Sequence, residues 1–513
     1  MNGARSLVET LIASGVDTCF ANPGTSEMHF VAALDRSAGI RCVLGLQENV
    51  VTGMADGYWR IAGRPACTLL HCGPGLANGL ANLHNARRAR SGIVNIVGDQ
   101  ATYHRPHDPP LTADTAALAR TVSGWVRTSS RAEEVGRDAA AAVQAARSHP
   151  GQVATLILPA DASWDEGGVV AAPLPVPAPA AIDPSAVDRA ARVLREAGGQ
   201  ALLLLAGAAV QAEGQALAWR IARATGARLM ADFVNPKLAR GRGRLPLERV
   251  PYKGELARSA LAPFDHIVLV NAKAPVGFFA YPGQPSTQYR DDARLHVLSR
   301  PEQDALEALR ALADALHAPE AALPDPGPRP QPAAGDPSSD KLAQTVAALM
   351  PDDAIVSDES VSYGRGFYTH THAAPPHDWL HLAGGAIGDG LPVAAGAALA
   401  GGGRRVIGLQ ADGSAMYTLQ ALWTQARERL PVTTILLNNR SYAILQGEYK
   451  GVGATPGPTA LRMLDLGDPA LSWVQLAQGL GVEAARANTM EQCADLLRAS
   501  FGRAAPFVIE LMV

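Results

Sequence analysis

The sequence has few cysteines, few charges and no long apolar run, and each shortage excludes a class of protein. Its five cysteines are odd in number and lack paired metal-ligand spacing, so neither a disulfide framework nor a structural zinc module is expected. A net charge of −3 leaves no basic field for nucleic acid. No apolar run approaches a membrane span, and the N-terminus lacks a long apolar leader. We therefore expect a cytoplasmic protein that binds small molecules, with neither nucleic acid nor a membrane as partner.

What the sequence does have is length and two proline-rich segments. Its 513 residues suffice for about three domains of usual size. Residues 167–184 and 317–339 are rich in proline, which disfavours both helix interiors and strand ladders. We therefore predict domains at residues 1–166, 185–316 and 340–513, joined by these two linkers.

Each predicted domain alternates short β-branched runs with alanine-rich helical patterns. This alternation is typical of parallel α/β sheets, so we predict an α/β fold with three doubly wound parallel-sheet domains. In the last domain, residues 405–409 and 432–437 are predicted strands. Residues 414–428 are predicted to form one helix between them.

Polar side chains follow both of these predicted strands. Asp412 comes just after the first and Asn439 just after the second. Open α/β sheets bind ligands at the carboxyl ends of their strands. Mg²⁺ prefers a few protein oxygens together with oxygens from phosphate and water. Gly413 and Ser414, at the helix start, could offer N–H groups to that phosphate. The pattern predicts a magnesium and diphosphate site.

Two candidate functional side chains lie in the first domain. Glu48 follows the predicted strand at residues 41–46 and opens a helix. Taken alone, such an acid is more often a helix-start residue that the helix dipole favours. His71 follows another β-rich run. Its imidazole titrates in the working range of an enzyme, although a buried core histidine is the alternative.

Together these motifs resemble the thiamine-diphosphate-dependent 2-oxo acid decarboxylase and acetolactate synthase family. That family carries Gly-Asp-Gly followed downstream by Asn-Asn, and this sequence has Ala411-Asp412-Gly413 and Asn438-Asn439. The resemblance implies that Asp412, Asn439 and the Ser441 carbonyl bind Mg²⁺. It also implies the thiamine diphosphate-binding fold, in which pyrimidine and diphosphate domains flank a central domain.

The resemblance extends through the first domain. Glu48 has the family's spacing to the motif at residues 55–58, which implies that it contacts the pyrimidine of thiamine diphosphate. The turn at residues 22–25 is similar to the Asn-Pro-Gly-Ser turn of benzoylformate decarboxylases, which implies that Thr25 binds the substrate carboxylate. Leu70-His71-Cys72 resembles their Leu-His-Ser, which implies that His71 transfers protons and that nearby Asn78 lies at the cofactor.

The last domain adds a glycine-rich turn at residues 381–392. By resemblance, Ile387 props the cofactor in its bent form and the Gly385 carbonyl meets the aminopyrimidine. Residues 358–360 resemble the decarboxylases' Asn-Glu-Ser turn, which implies that Ser362 touches the diphosphate.

The sequence departs from benzoylformate decarboxylases at their second catalytic histidine, where alignment places Ala280. His104 and His107 could replace it, although a solvated loop is the better interpretation of their segment. His370 and His372 have alternate spacing but no visible third metal ligand, so we expect surface histidines.

The resemblance implies a decarboxylase or carboligase of short 2-oxo acids such as pyruvate. The alternatives are an acetolactate synthase, a benzoylformate decarboxylase-like enzyme, and a non-catalytic diphosphate-binding scaffold. The scaffold is disfavoured because Glu48, Asp412 and Asn439 are all present. Since Glu48 and the metal site lie in different domains, the resemblance implies an active site between two subunits of a homodimer, with a homotetramer expected.

Overall fold

The structure, a computed structural model, describes residues 1–364 and 367–513. The chain forms three sheets of mostly parallel strands with helices packed against them, so the predicted α/β fold is confirmed. In the part of the chain that is described, no helix has both the length and the apolar character needed to cross a membrane.

The first sheet contains six parallel strands: β1 (Thr18–Ala21), β2 (Arg41–Leu44), β3 (Ala66–Leu70), β4 (Ile93–Asp99), β5 (Trp125–Thr128) and β6 (Val153–Pro159). Its helices are α1 (Gly3–Ala13), α2 (Met28–Arg36), α3 (Glu48–Ala62), α4 (Cys72–Ala89), α5 (Thr115–Arg120), α6 (Ala132–Ala146) and α7 (Ala160–Trp164). The strand order is β2-β1-β3-β4-β6-β5. The chain changes direction across the sheet between β1 and β3, so a ligand crevice is expected at their carboxyl ends.

The second sheet contains four parallel strands: β7 (Ala201–Leu205), β8 (Arg228–Ala231), β10 (His266–Val270) and β11 (Arg294–Ser299). They lie in the order β11-β10-β7-β8. The helices of this part of the chain are α8 (Pro184–Ala197), α9 (Ala212–Thr225), α10 (Gly254–Leu261) and α11 (Ala305–Ala315). The strand β9 (Lys237–Arg240) lies within the predicted central domain but pairs with the third sheet.

The third sheet contains β12 (Ile355–Glu359), β13 (His377–His381), β14 (Val406–Ala411), β15 (Val432–Asn438), β16 (Glu483–Ala487) and β17 (Phe507–Met512). Its order is β16-β17-β15-β14-β12-β13-β9, and β9 pairs antiparallel with β13. Its helices are α12 (Ser339–Leu349), α13 (Phe367–His370), α14 (Gly390–Ala400), α15 (Asp412–Ala415), α16 (Ala421–Arg427), α17 (Ala443–Gly451), α18 (Pro458–Leu464), α19 (Trp473–Gly479) and α20 (Met490–Phe501).

The prediction of one helix over residues 414–428 is wrong, because α15 and α16 are separated by a turn. Within this turn Thr418 donates its hydroxyl hydrogen to the Gly388 carbonyl at 3.0 Å. The Tyr417 side chain lies so close to Gly388 that a Cβ there would be 2.7 Å from the Tyr417 Cβ. This docking against the glycine-rich turn bends the chain where the apolar pattern alone would continue the helix.

Local sequence determines where α3 begins. The Gln47 side chain accepts hydrogen bonds from the N–H groups of Asn49 and Val50 at 2.6 and 3.1 Å, and so caps the helix. Gly63 ends the helix with a φ of +65°. These caps place Glu48 at the first position of α3, shortly after the carboxyl end of β2.

Helices α3 and α14 cross with their backbones in close contact. A Cβ on Gly396 would lie 1.9 Å from the Met54 carbonyl oxygen, and one on Gly57 would lie 2.2 Å from the Val393 carbonyl oxygen. Only glycine permits this approach. The crossing joins the first and third sheets around a shared apolar core.

Candidate active site

Two groups of predicted site residues lie at the carboxyl ends of strands. In the first sheet, the turn after β1 and the residue after β3 meet beside the start of α3. In the third sheet, the residues after β12 and β14 meet in the same way, because these strands are parallel neighbours. The chain changes direction across both sheets at these points, where open α/β sheets bind ligands.

Glu48 lies in the first group, with 8% of its surface exposed. Its Oε2 accepts a hydrogen bond from Asn78 Nδ2 on α4 at 3.1 Å. A Cβ on Gly75 would lie 3.2 Å from Glu48 Oε1, so the glycine keeps that side of the carboxylate open. The structure therefore brings two predicted cofactor residues, Glu48 and Asn78, into direct contact.

His71 is hydrogen-bonded to a glutamate that the sequence analysis did not select. Its Nδ1 lies 2.9 Å from Oε2 of Glu27, whose surface is 1% exposed. Because an ionised carboxylate only accepts hydrogen bonds, this pairing assigns the hydrogen to Nδ1 and leaves Nε2 as the acceptor. A Cβ on Gly24 would lie 2.1 Å from the imidazole Cγ, so the ring packs directly on this glycine.

Ser26 and Cys72 complete the surroundings of His71. Ser26 Oγ lies 3.2 Å from His71 Nδ1 and donates to Glu27 Oε1 at 2.6 Å. It also lies 3.1 Å from Cys72 Sγ. Burial raises the pKa of the Cys72 thiol to about 11. Thr25, the predicted residue of this turn, is exposed, and its neighbours Ser26 and Glu27 reach the imidazole instead. Ser26 and Glu27 lie in the turn after β1, opposite the end of β3, and this position was the signal that could have identified them.

Asp412 is the centre of the second group. It lies at the carboxyl end of β14 with 2% of its surface exposed. Its Oδ1 accepts from the Gly413 N–H and its Oδ2 from the Arg440 N–H, both at 2.8 Å. Burial raises the pKa of this carboxyl group. A cation bound here would favour the ionised form.

The two asparagines at the end of β15 have different partners. Asn438 donates to Glu510 Oε1 at 2.7 Å, inside the sheet. Asn439 Oδ1 accepts from the Ser441 N–H at 2.9 Å, across a turn in which Arg440 has a φ of +55°. Since Arg440 also donates its N–H to Asp412, the structure gathers Asp412, Asn439 and Ser441 at one turn.

Gly413 and Ser414 follow Asp412 in α15. A Cβ on Gly413 would lie 2.5 Å from Tyr442 Cε1, so this position requires glycine. Ser414 Oγ accepts from Gln410 Nε2 at 2.8 Å and donates to the Ala411 carbonyl at 3.1 Å. Because its hydroxyl is engaged within the protein, Ser414 can meet a ligand mainly through its backbone.

Glu359, at the end of β12, holds the glycine-rich turn and is a second residue that the sequence analysis did not select. Burial raises the pKa of its carboxyl group. Its oxygens accept hydrogen bonds from Gln410 Nε2 at 2.8 Å and from three N–H groups of the turn, those of Gly388, Asp389 and Gly390, at 2.7, 3.1 and 2.9 Å. Glu359 therefore couples the turn to β14, the strand that carries the candidate metal site.

Gly385 and Ile387 lie on the same turn, on either side of Ala386. The backbone of Ala386 is held by Asn85 of α4, through its N–H at 3.1 Å and its carbonyl at 2.8 Å. Gly385 has a φ of +81°, and a Cβ there would lie 2.4 Å from the Phe278 ring. Ile387 is partly exposed. The turn is thus fixed between helix α4 of the first sheet and Phe278 of the central segment, residues 185–316.

Ser362 is exposed and lines a cavity of about 620 Å³ together with residues of α17 and of the central segment, among them Tyr252, Lys253, Ala443 and Glu448. The helix α17 begins just after the candidate metal turn. The cavity therefore lies beside that turn, and Ser362 forms part of its wall.

The remaining histidine candidates lie in two segments: His104 and His107 are exposed, whereas His370 and His372, expected at the surface, are partly buried. His104 and His107 are exposed on one loop, with ring centroids 6.3 Å apart. His370 Nε2 lies 3.3 Å from Asp340 Oδ1, whereas burial lowers the pKa of His372 to about 4. Ala280 is exposed in the single chain.

Two family models match the chain. One, described as thiamine pyrophosphate enzyme, N-terminal TPP binding domain, matches residues 1–118. The other, described as thiamine pyrophosphate enzyme, C-terminal TPP binding domain, matches residues 362–511. The first match contains Glu48 and His71, and the second contains Asp412 and Asn439.

Similar proteins align along almost the whole chain. A provisionally named acetolactate synthase large subunit, IlvX, of Mycobacterium tuberculosis is 51% identical, covering 100% of this chain and 99% of the relative. A benzoylformate decarboxylase of Pseudomonas aeruginosa is 30% identical, covering 98% and 97%. The solved structure of a thiamine diphosphate-dependent 4-hydroxybenzoylformate decarboxylase from Rhodococcus jostii RHA1 matches with a TM-score of 0.84 and 27% identity, covering 99% and 98%.

Proposed function

The chain belongs to the thiamine pyrophosphate enzyme family, and from this membership we propose that it is a magnesium-dependent decarboxylase and carboligase of short 2-oxo acids such as pyruvate. Its relatives are of the acetolactate synthase and benzoylformate decarboxylase type. Dependence on thiamine diphosphate comes with the family, whereas the metal ion, the substrate and the residue roles are proposed.

The residues at both strand edges fit this cofactor. Asp412 is a buried carboxylate at a turn shared with Asn439 and Ser441, which suits an ion bound by few protein oxygens. Gly413 and Ser414 follow Asp412 in α15, where their backbone N–H groups would meet the diphosphate. Glu48 would hold a proton at a carboxylate oxygen that faces the pyrimidine. When bound, thiamine diphosphate supplies the electron sink that allows a 2-oxo acid to lose carbon dioxide.

The observation that carries the proposed reaction is the Glu27–His71 pair. With Nδ1 held by Glu27, Nε2 of His71 is free to give or take a proton at the substrate. Thr25, exposed on the adjoining turn, would bind the substrate carboxylate through its hydroxyl. Carbon–carbon bond formation instead of protonation would make the same site a carboligase.

Substrate size is inferred from Ala280, which offers no proton where benzoylformate decarboxylases carry their second histidine. A missing acid or base costs about 10² to 10⁴ in rate. An aliphatic acid can rely on His71 or solvent. Short 2-oxo acids are therefore expected to have the higher kcat/KM.

A competition experiment tests the proposed reaction. The protein, supplied with thiamine diphosphate and Mg²⁺, would be given pyruvate, 2-oxobutanoate and benzoylformate together, and the aldehydes, hydroxyketones and acetolactate formed would be quantified. We expect products of pyruvate or 2-oxobutanoate to dominate. A clear preference for benzoylformate would refute the short-acid proposal, and acetolactate as the main product would identify an acetolactate synthase.

The metal assignment is tested separately. Asp412→Ala and Asn439→Ala are expected to lose magnesium-dependent binding of thiamine diphosphate, because each removes one of few protein oxygens around the ion. Calorimetric titration measures this, with the exposed Asp352→Ala as the matched control. Wild-type affinity in both site variants would contradict the assignment.

One observation favours a benzoylformate decarboxylase-like enzyme as a second candidate. Phe278, which contacts Gly385, belongs to an aromatic group with ring centroids 4.8 Å from Phe279, 5.5 Å from Tyr252 and 6.3 Å from Phe233. Such a surface would pack well against an aromatic 2-oxo acid. The same competition experiment decides between the two candidates.

A further inference from the structure

The surroundings of His71 contain a second set of metal-ligand atoms, distinct from the candidate magnesium site. Glu27 comes from the turn after β1, whereas His71 and Cys72 come directly after β3. Because β1 and β3 are parallel neighbours, their carboxyl ends lie side by side. Residues more than forty positions apart are thereby gathered at one point.

The three side chains converge closely. His71 Nδ1 is 2.9 Å from Glu27 Oε2, and the ligand atoms of Glu27, His71 and Cys72 all lie within 4.8 Å of one another. Ser26 Oγ lies between them, 2.6 Å from Glu27 Oε1, 3.2 Å from His71 Nδ1 and 3.1 Å from Cys72 Sγ. One atom that contacts all three groups shows that they face a common point.

The ligand types select the ion. Nitrogen, sulfur and carboxylate oxygen at bond lengths of about 2.0 to 2.3 Å suit zinc, in whose tetrahedral sites neighbouring ligand atoms lie roughly 3.3 to 3.8 Å apart. Magnesium and calcium prefer oxygen ligands and would not select the thiolate. We propose that Glu27, His71 and Cys72 form a binding site for Zn²⁺ or a similar transition-metal ion.

Binding would form bonds from the ion to Cys72 Sγ, His71 Nδ1 and one Glu27 oxygen. The Cys72 thiol would release its proton to solvent, Nδ1 of His71 would lose its hydrogen while Nε2 takes one up, and no electron would be transferred. The Ser26 hydroxyl would rotate away or become the fourth ligand. His71, whose side chain is 23% exposed, provides the route of access, whereas Cys72 and Glu27 are buried.

A bound metal ion would fix the imidazole of His71 in place. Glu27 would then bind the ion instead of orienting the imidazole. If His71 transfers protons, the ion inhibits the enzyme, and this consequence rests on the proposed function. The metal site itself does not rest on the proposed function.

Cobalt is the probe, because a thiolate ligand to Co²⁺ gives a charge-transfer absorption band that oxygen ligands do not. Co²⁺ would be titrated into the full-length protein already loaded with Mg²⁺ and thiamine diphosphate. We expect the band to saturate near one equivalent in the wild type and in Cys42→Ser, which alters an exposed cysteine outside the site. We expect its loss in Cys72→Ser. Absence of the band in the wild type, or its persistence in Cys72→Ser, would overturn the metal site.

Zinc inhibition separates this site from the proposed reaction. The zinc concentration that halves turnover should rise at least about tenfold in Cys72→Ser, relative to that variant's own zinc-free rate. Circular dichroism checks that the variant is folded. If the wild type shows the cobalt band but zinc does not inhibit it, the metal site would be supported and the role of His71 in proton transfer would be refuted.

Discussion

Glu27 illustrates how a single residue acts through another. Its buried carboxylate accepts hydrogen bonds from the Gly24 N–H at 2.9 Å, the Ser26 hydroxyl and His71 Nδ1. A Cβ on Gly98 of β4 would lie 1.7 Å from Glu27 Oε1, so the carboxylate is also enclosed by the sheet. A group held on so many sides can orient an imidazole without touching the substrate.

We predict that Glu27→Gln lowers kcat by about tenfold to a hundredfold with a smaller change in KM, because the amide can turn its NH₂ toward Nδ1 and reverse the tautomer. Steady-state kinetics over a pH series measure this, and the pH profile of kcat should change shape. Glu9→Gln, which alters a partly exposed carboxylate of α1 paired with Arg5, is the control. An altered melting temperature with an unchanged profile would show a purely structural role.

Asp232 shows a pH effect at the residue scale. It follows β8, and burial raises its pKa to about 6, whereas the pKa of aspartate in an unfolded chain is about 3.9. The folded state therefore binds the proton more tightly. Its contribution to stability is fully present below about pH 4 and is lost as the pH rises through about 6.

We predict that Asp232→Asn removes this loss of stability at higher pH. The amount by which the melting temperature of the variant exceeds that of the wild type should therefore be larger above pH 6 than at pH 4. Thermal unfolding across this pH range, with the exposed Asp352→Asn as control, measures the effect. A margin that does not change with pH would contradict the prediction.

At the scale of secondary structure, the crossing of α3 and α14 determines how the first and third sheets meet. Both helices carry candidate function at their starts, since α3 begins with Glu48 and α14 follows the glycine-rich turn. Asn82 on α4 adds a link, donating to the Gly388 carbonyl at 3.0 Å. The position of the turn therefore depends on helix packing as well as on its own glycines.

We predict that Gly396→Ala lowers the free energy of unfolding by about 1 to 3 kcal/mol, because its Cβ would meet the Met54 carbonyl. Gly447→Ala, in the middle of α17 with open space around it, is the matched control and should raise stability by up to about 1 kcal/mol. Denaturant unfolding of both variants measures the difference. Equal stabilisation by both substitutions would refute the close crossing.

At the scale of the whole molecule, the candidate site is in two parts. Glu48 and His71 lie at the edge of the first sheet, whereas Asp412 and Asn439 lie at the edge of the third. The proposed arrangement places these parts together across a subunit interface, with a homodimer as the minimum.

Mixing two inactive variants tests this arrangement. If the active site is shared between subunits, refolding Glu48→Gln with Asp412→Asn gives mixed dimers that each contain one intact and one doubly altered site. Random pairing should then restore about a quarter of wild-type activity. Activity that stays at the level of the separate variants, in mixtures shown by mass spectrometry to contain the mixed dimer, would indicate sites within single subunits.

Much of the fold followed from local pattern. The sequence determined the β14 and β15 runs, the polar residues at their ends and the glycines beside them, because strand periodicity and strand-end chemistry are properties of neighbouring residues. The meeting of Asp412 and Asn439 was expected on the same ground, since parallel strands end at one edge, whereas Ser441 was expected there only from the family resemblance. Their roles toward metal and cofactor stay predictions.

Only the tertiary structure decided contacts between distant segments. Glu27 reaches His71 across 44 positions, β9 leaves the central segment to pair with β13, and Thr418 breaks a predicted helix by docking on Gly388. None of these contacts produces a periodic pattern in the sequence, because each depends on where a distant part of the chain packs. The sequence by itself thus determined the strands, their ends and the chemistry placed there, and the packing of distant segments decided which of those groups touch.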